Sequence, residues 1–200
     1  NNENPKTLTL DEVQLNQNYA IVITTNAGLW RYKIGDTVCF TSLSPYRIKI
    51  TGRTAHFINA FGEEMIIDNA EKALFEACIA TGSHIKDYTA APVYFSDEAS
   101  GAHEWLIEFD ALPNDIDDFR NRLDEALKKL NSDYEAKRYK DKVLNAPIVR
   151  VLPSGSFYNW MKSREKLGGQ HKVPRLSNNR TFVDEILKQC LWRANTCIHA

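Results

Sequence analysis

In Tyr46-Arg47-Ile48-Lys49-Ile50 apolar and cationic side chains alternate strictly, which puts Tyr46, Ile48 and Ile50 on one face of a strand and Arg47 and Lys49 on the other. This predicts a half-buried strand. Upstream, Tyr19 to Thr24, Leu29 to Lys33 and Thr37 to Thr41 are rich in β-branched and aromatic residues, and Asn-Ala-Gly, Gly-Asp and Ser-Pro turn signals separate the four runs. Residues 18 to 51 therefore read as a short antiparallel meander whose apolar face, carrying Tyr46, Ile48 and Ile50, needs a covering layer.

The period then changes. From Asp68, in an Asp68-Asn69-Ala70-Glu71 start, the residues Ala70, Ala73, Leu74, Ala77 and Cys78 recur at helical spacing as far as Gly82. Thr89 to Phe95 and Glu104 to Phe109 read as a hairpin. Ile116, Phe119, Leu123, Ala126, Leu127 and Leu130 form one helical stripe, with Asp117 and Asp118 in the first turn and Lys128 and Lys129 in the last, as the helix dipole favours. A short helix over Asp133 to Tyr139 and a strand over Ile148 to Leu152 follow. An amphipathic helix from Ser156 to Leu167 uses Phe157, Trp160 and Met161 and stops at Gly168-Gly169, before a last helix from about Asn179 to Ala194. Helices and strands mix without βαβ regularity, so the fold class predicted is α+β: a small antiparallel strand meander over 1–52, then an α+β domain over 53–200, with the boundary near Gly52 to Ala55.

Composition narrows the partners. The 200 residues carry 25 basic and 26 acidic side chains, so no general charge attraction draws the chain to nucleic acid or to an anionic membrane. No run approaches the roughly 18 consecutive apolar residues of a membrane span, and the N-terminus lacks signal-peptide regions, which predicts a cytoplasmic location. Cysteines 39, 78, 190 and 197 show no C-x-x-C spacing and have no paired histidines, so reduced thiols and no metal site are expected.

The candidate chemistry sits in Leu29-Trp30-Arg31-Tyr32-Lys33-Ile34-Gly35-Asp36-Thr37-Val38 and in Thr51-Gly52-Arg53-Thr54-Ala55-His56-Phe57-Ile58-Asn59-Ala60-Phe61-Gly62. An Asp on a Gly-Asp turn between two strands offers two fixed acceptor oxygens for the paired hydroxyls of a ribose. Arg53 then reaches ribose or phosphate, or else forms a structural pair with Glu63 or Glu64. Lys172 follows a glycine-rich loop and precedes Val173-Pro174, so the chain is restrained beside it. Its ammonium suits developing phosphate charge, and the plainer alternative is a solvated surface lysine. His56 and His171 receive no catalytic assignment, and Asn59-Ala60-Phe61-Gly62 reads as a structural turn.

Together with Asn131-Ser132-Asp133-Tyr134-Glu135-Ala136-Lys137-Arg138, Val151-Leu152-Pro153-Ser154-Gly155-Ser156-Phe157 and Gly168-Gly169-Gln170-His171-Lys172-Val173-Pro174-Arg175, these segments resemble the Gretchen Hagen (auxin-responsive) family of acyl-acid amido synthetases, within the adenylate-forming enzymes. The resemblance implies a ribose-binding Asp36, a nucleotide-binding Arg53, a catalytic Lys172, and ATP with Mg2+ as cofactors. It implies a small-molecule carboxylic acid and an amino acid as partners, no nucleic acid and no membrane. It also makes 1–52 the terminal piece of a large adenylation domain and 53–200 a mobile C-terminal domain pivoting about Gly52 and Ala55. Ala55 stands where broader relatives carry an acidic or basic hinge residue, and Gly62-Glu63-Glu64 lacks the lysine of many plant members, so no nucleotide contact is assigned there. The family's Ser/Thr/Gly-rich phosphate loop has no counterpart in the chain. The expectation is therefore a C-terminal piece that lacks its N-terminal domain and is inactive alone. The alternatives are an acyl-CoA-synthetase-like enzyme with a thiol acceptor, or a non-catalytic interaction domain that keeps the fold.

Overall fold

Alternation along the first quarter of the chain produces three strands, β1 (Asn18–Ile23), β2 (Tyr32–Leu43) and β3 (Tyr46–Arg53), paired antiparallel in that order. The computed structural model describes residues 6–53, 57–95, 100–166 and 172–196. It divides into two compact units, 1–55 and 56–200.

In the first unit two expectations change. Gly35-Asp36 is not a turn between two strands, because β2 runs continuously through it. Ala20 pairs with Thr37 and Val22 with Lys33, so Ile34, Gly35 and Asp36 together oppose Ile21 alone. This bulge accommodates the extra residues, and Gly35 takes the positive φ of 87° that the kink requires. The apolar face of β3 also differs from expectation, since Ile48 and Ile50 are 53% and 65% exposed. Their ladder partners on the central strand, Phe40 and Val38, are buried. A central strand is flanked on both sides, whereas β3 is at the edge. Phe40 packs edge-on between Tyr19 and Tyr46, at centroid distances of 5.9 and 6.1 Å.

The second unit is a sheet between two helical layers. Short strands β4 (Phe57–Ile58) and β5 (Met65–Ile66) lead into α1 (Ile67–Thr81), which starts one residue before the expected Asp68 and ends at Gly82 in the left-handed region. Next come the antiparallel β6 (His84–Tyr94) and β7 (Gly101–Ala111), then α2 (Ile116–Leu130), where the Asp115 carboxylate accepts the Asp117 N–H at 2.8 Å as an N-cap. After α3 (Ser132–Lys137), β8 (Ile148–Leu152) adds to β7 in parallel, giving the order β6-β7-β8. Helix α4 (Ser156–Ser163) stops short of the expected Leu167, and α5 spans Thr181–Thr196. Leu167, Gly168 and Gly169 lie outside the described residues.

Strand β7 is buried from Gly101 to Glu108, and its two faces serve different layers. Trp105 and Ile107 pack with Ala70, Ala73, Leu74 and Ala77 of α1 and with Phe119, Leu123 and Leu127 of α2. Leu106 packs on the other side with Phe157, Trp160 and Met161 of α4 and with Val183 and Ile186 of α5. Helices on both faces explain why β7 reads as a continuous buried run with charged residues inside it.

Candidate functional site

Asp36 is half-buried on β2, and its ladder partner across β3 is Arg53. The two candidate nucleotide residues, seventeen positions apart in sequence, are thus directly opposite each other. A second irregularity lies beside them. Thr37 pairs with Gly52 and Val38 with Ile50, leaving Thr51 as an extra residue on β3. The Thr51 hydroxyl is buried and bonds Thr37 Oγ1 at 3.1 Å. Asp36 is therefore the last residue of one bulge and lies next to a second, a device that re-aims side chains and ends regular pairing next to functional sites. The Asp36 backbone is paired with β3 and does not sit in a hairpin turn. The side chain of Arg53, and Ala55 altogether, lie outside the described residues.

Lys172 belongs to the second unit and is exposed. The chain beyond it is tied down: Val173 is buried in the core beneath α4 and α5, and the Pro174 carbonyl accepts the Thr89 hydroxyl at 2.6 Å. Residues 175 to 177 run along β6, where the Arg175 carbonyl accepts the Ala90 N–H at 2.9 Å and the Ala90 carbonyl accepts the Ser177 N–H at 3.0 Å. A solvated ammonium thus stands next to a rigidly held segment.

A model of the GH3 family C-terminal domain matches residues 68–181, more than half of the chain, and one of the GH3 family central domain matches residues 1–53. The chain belongs to the GH3 family. It is 26% identical over 199 residues to a probable indole-3-acetic acid-amido synthetase, GH3.1 of Arabidopsis thaliana, an alignment covering 90% of this chain and 32% of that protein. It is 28% identical over 188 residues to indole-3-acetic acid-amido synthetase GH3.4 of the same plant, covering 83% and 30%. The chain thus spans about a third of the length of the curated relatives it matches. The solved GH3.15 acyl acid amido synthetase shares the fold, with a TM-score of 0.66 at 21% identity, over 90% of this chain and 34% of the other. The expected family and the α+β class both hold.

Two family-like stretches in this GH3 chain are held by buried carboxylates that periodicity did not single out. Asp124 of α2 accepts Arg138 Nε and Nη2 at 2.8 Å each and the Tyr134 hydroxyl at 2.8 Å, which accounts for the Tyr134 to Arg138 stretch. Burial alone raises the Asp124 carboxyl, but the bonds from Arg138, Lys128 and Tyr134 outweigh it and hold it below the usual carboxylate range. Glu108 of β7 accepts the Gly155 N–H at 2.6 Å and the Phe157 N–H at 3.3 Å, so it caps the start of α4. That bond accounts for Ser154-Gly155-Ser156-Phe157. Arg175, closing the Lys172 stretch, pairs with the Asp87 carboxylate.

Glu63 is fully buried and takes His103 Nε2 at 2.7 Å and the Phe61 N–H at 2.7 Å. Burial raises this carboxyl, yet the His103 contact and backbone donors leave it lowered overall. The partner of Glu63 within its own unit is a histidine forty residues away. The Asn59 to Gly62 turn is structural in the same way, since the Glu63 carboxylate accepts the Ala60 and Phe61 N–H groups within it. The sequence signal available was Glu63 itself, a charge beside apolar Phe61 and Met65.

Cys39, Cys78 and Cys190 carry free, half-buried thiols, and Cys197 lies outside the described residues. Among the described residues no group of three or more His, Cys, Asp or Glu side chains is placed to hold a metal. No helix among the described residues is long and apolar enough to cross a membrane.

Proposed function

We propose that this chain is the C-terminal part of an ATP-dependent acyl-acid amido synthetase, with residues 1–52 ending the large adenylation domain and 53–200 forming the mobile C-terminal domain. The observation that carries the reading is the cross-strand placement of Asp36, at the end of one bulge and beside another, opposite Arg53. A carboxylate carried on a paired strand offers two acceptor oxygens, which match the two hydroxyls of a ribose. A guanidinium starting from the opposite strand reaches the same sugar or the phosphate next to it.

The reaction has two halves. A carboxylate oxygen attacks the α-phosphorus of ATP and pyrophosphate leaves, giving the acyl adenylate. The amine of an amino acid then attacks the acyl carbon, AMP departs with the bonding pair, and the amine gives up its proton. Asp36 holds the ribose through the first half, Arg53 steadies ribose or phosphate, and Lys172 meets the negative charge that builds between carboxylate and α-phosphate. Closure of the C-terminal domain about Gly52 and Ala55 keeps water from a mixed anhydride that hydrolyses readily.

Asp36→Ala in the full-length enzyme tests this directly. Losing a charged acceptor for two hydroxyls removes on the order of 1.5 to 3 kcal/mol, so apparent ATP affinity should fall by roughly ten- to a hundredfold. The affinity for the acyl acid should stay within about twofold. Steady-state titrations of ATP and acid read the two separately, and an unchanged ATP dependence would reduce Asp36 to a bulge residue.

A further inference from the structure

The segment that follows Lys172 is fastened at both ends, and beyond buried Val173 and the Pro174 carbonyl bonded by Thr89 one side chain adds a further fastening at the nearer end. Arg175 pairs through Nη1 with the Asp87 carboxylate and donates to the Tyr88 carbonyl at 3.2 Å. Its guanidinium also lies 4.7 Å over the Tyr88 ring. That ring stacks in turn on fully buried Trp105, at a centroid distance of 6.0 Å, so the guanidinium is referenced to the centre of the core. At the far end the Asn59 N–H donates to Asn178 Oδ1 at 2.7 Å, tying the segment to the residue after β4.

Between Arg175 and Lys172 lie only Val173 and Pro174. The Pro174 ring fixes its own φ and confines Val173 to extended backbone, while Val173 is itself buried. From the guanidinium anchor to the ammonium-bearing residue there is thus roughly 10 Å of extended chain with few free torsions. This is a stiff arm on a fixed base.

We infer that Arg175, acting through Asp87, is a positioning residue for Lys172: it fixes the base of the arm that presents the ammonium during adenylation. The inference rests on the reading of Lys172 given under the proposed function. Arg175 touches no reacting atom in this scheme. The Arg175 and Asp87 side chains are 33% and 26% exposed, and an ion pair this open contributes little to global stability. Its effect should therefore appear in the placement of Lys172 before it appears in folding, because small misplacements of a catalytic group cost large factors in rate.

The experiment uses the full-length enzyme and compares Arg175→Gln, Asp87→Asn, their double variant and Lys172→Ala. Acid-dependent pyrophosphate exchange reads adenylation, and aminolysis of supplied acyl adenylate reads the second half-reaction. Each single variant should lower adenylation by about tenfold, with the double variant no worse than the poorer single, since both remove one contact. Aminolysis should stay within about twofold, and thermal midpoints near those of the unaltered enzyme. If Arg175→Gln does not fold, Arg175→Lys serves, because it keeps the charge and loses the stacked planar fork. Unchanged adenylation in the Arg175 and Asp87 variants while Lys172→Ala loses it would overturn this inference alone. So would equal loss of both half-reactions. Full adenylation by Lys172→Ala would instead remove the reading of Lys172, and this inference with it.

Discussion

Lys172→Ala in the full-length enzyme is expected to slow acyl-adenylate formation by roughly 10²- to 10³-fold, the usual size for losing one preorganised charge stabiliser. Aminolysis of presynthesised acyl adenylate should survive, because the second half-reaction needs the amine nucleophile and not the lysine. The split follows from where the lysine stands. It is exposed, it opens a segment that is buried at Val173 and bonded along β6, and its removal leaves those ties intact. A folding defect would lower both half-reactions together. Pyrophosphate exchange and single-turnover aminolysis, measured on one preparation, separate the two cases, and a common loss in both would make Lys172 a structural residue.

Arg138→Ala should cost about 3 kcal/mol of unfolding free energy at neutral pH, the low end of the range for breaking a buried pair, because Lys128 still reaches Asp124 at 2.6 Å. The cost arises from what is left behind. Asp124 would lose two of its donors, and the Leu144 carbonyl would lose the Nη1 donor that lies at 2.9 Å. The sign with pH is fixed by the direction of the shift. In the folded chain the Asp124 carboxyl is held below its ordinary value of 3.8, so the stability it confers is full above that value and drains away as the pH falls through the lower one. The gap between the unaltered protein and Arg138→Ala should therefore be widest near neutrality and shrink below about pH 4. Glu63, Glu104 and Glu108 are also lowered in the fold, so the unaltered protein should itself lose stability over the same acid range. Denaturant unfolding of both proteins at pH 7 and pH 3 gives the comparison. A gap of constant size would show that Arg138 acts by packing alone.

Local pattern by itself determined much of this protein. The helical stripe from Ile116 to Leu130 forms as α2 with its acidic start and basic end, the strand β8 lies where periodicity puts it, and the expected hairpin forms as β6 and β7 with both strands longer than Thr89 to Phe95 and Glu104 to Phe109. Each depends on side chains within a few residues of one another, so its signal is complete in the sequence. The quoted motifs likewise were enough to identify the family. Tertiary structure decided what rests on partners distant in the chain. Gly35-Asp36 has the composition of a turn, and only pairing with β1 and β3 on either side draws it into one bulged strand. The alternation of Tyr46, Ile48 and Ile50 assigns them a common face but not its cover, and in an edge strand that face is open. Glu63 finds His103, Glu108 finds the start of α4 and Asp124 finds Arg138 across 40, 47 and 14 positions. A charge becomes an interior partner only when the sheet is sandwiched and water is excluded, so its role appears with the packing and not with the spacing.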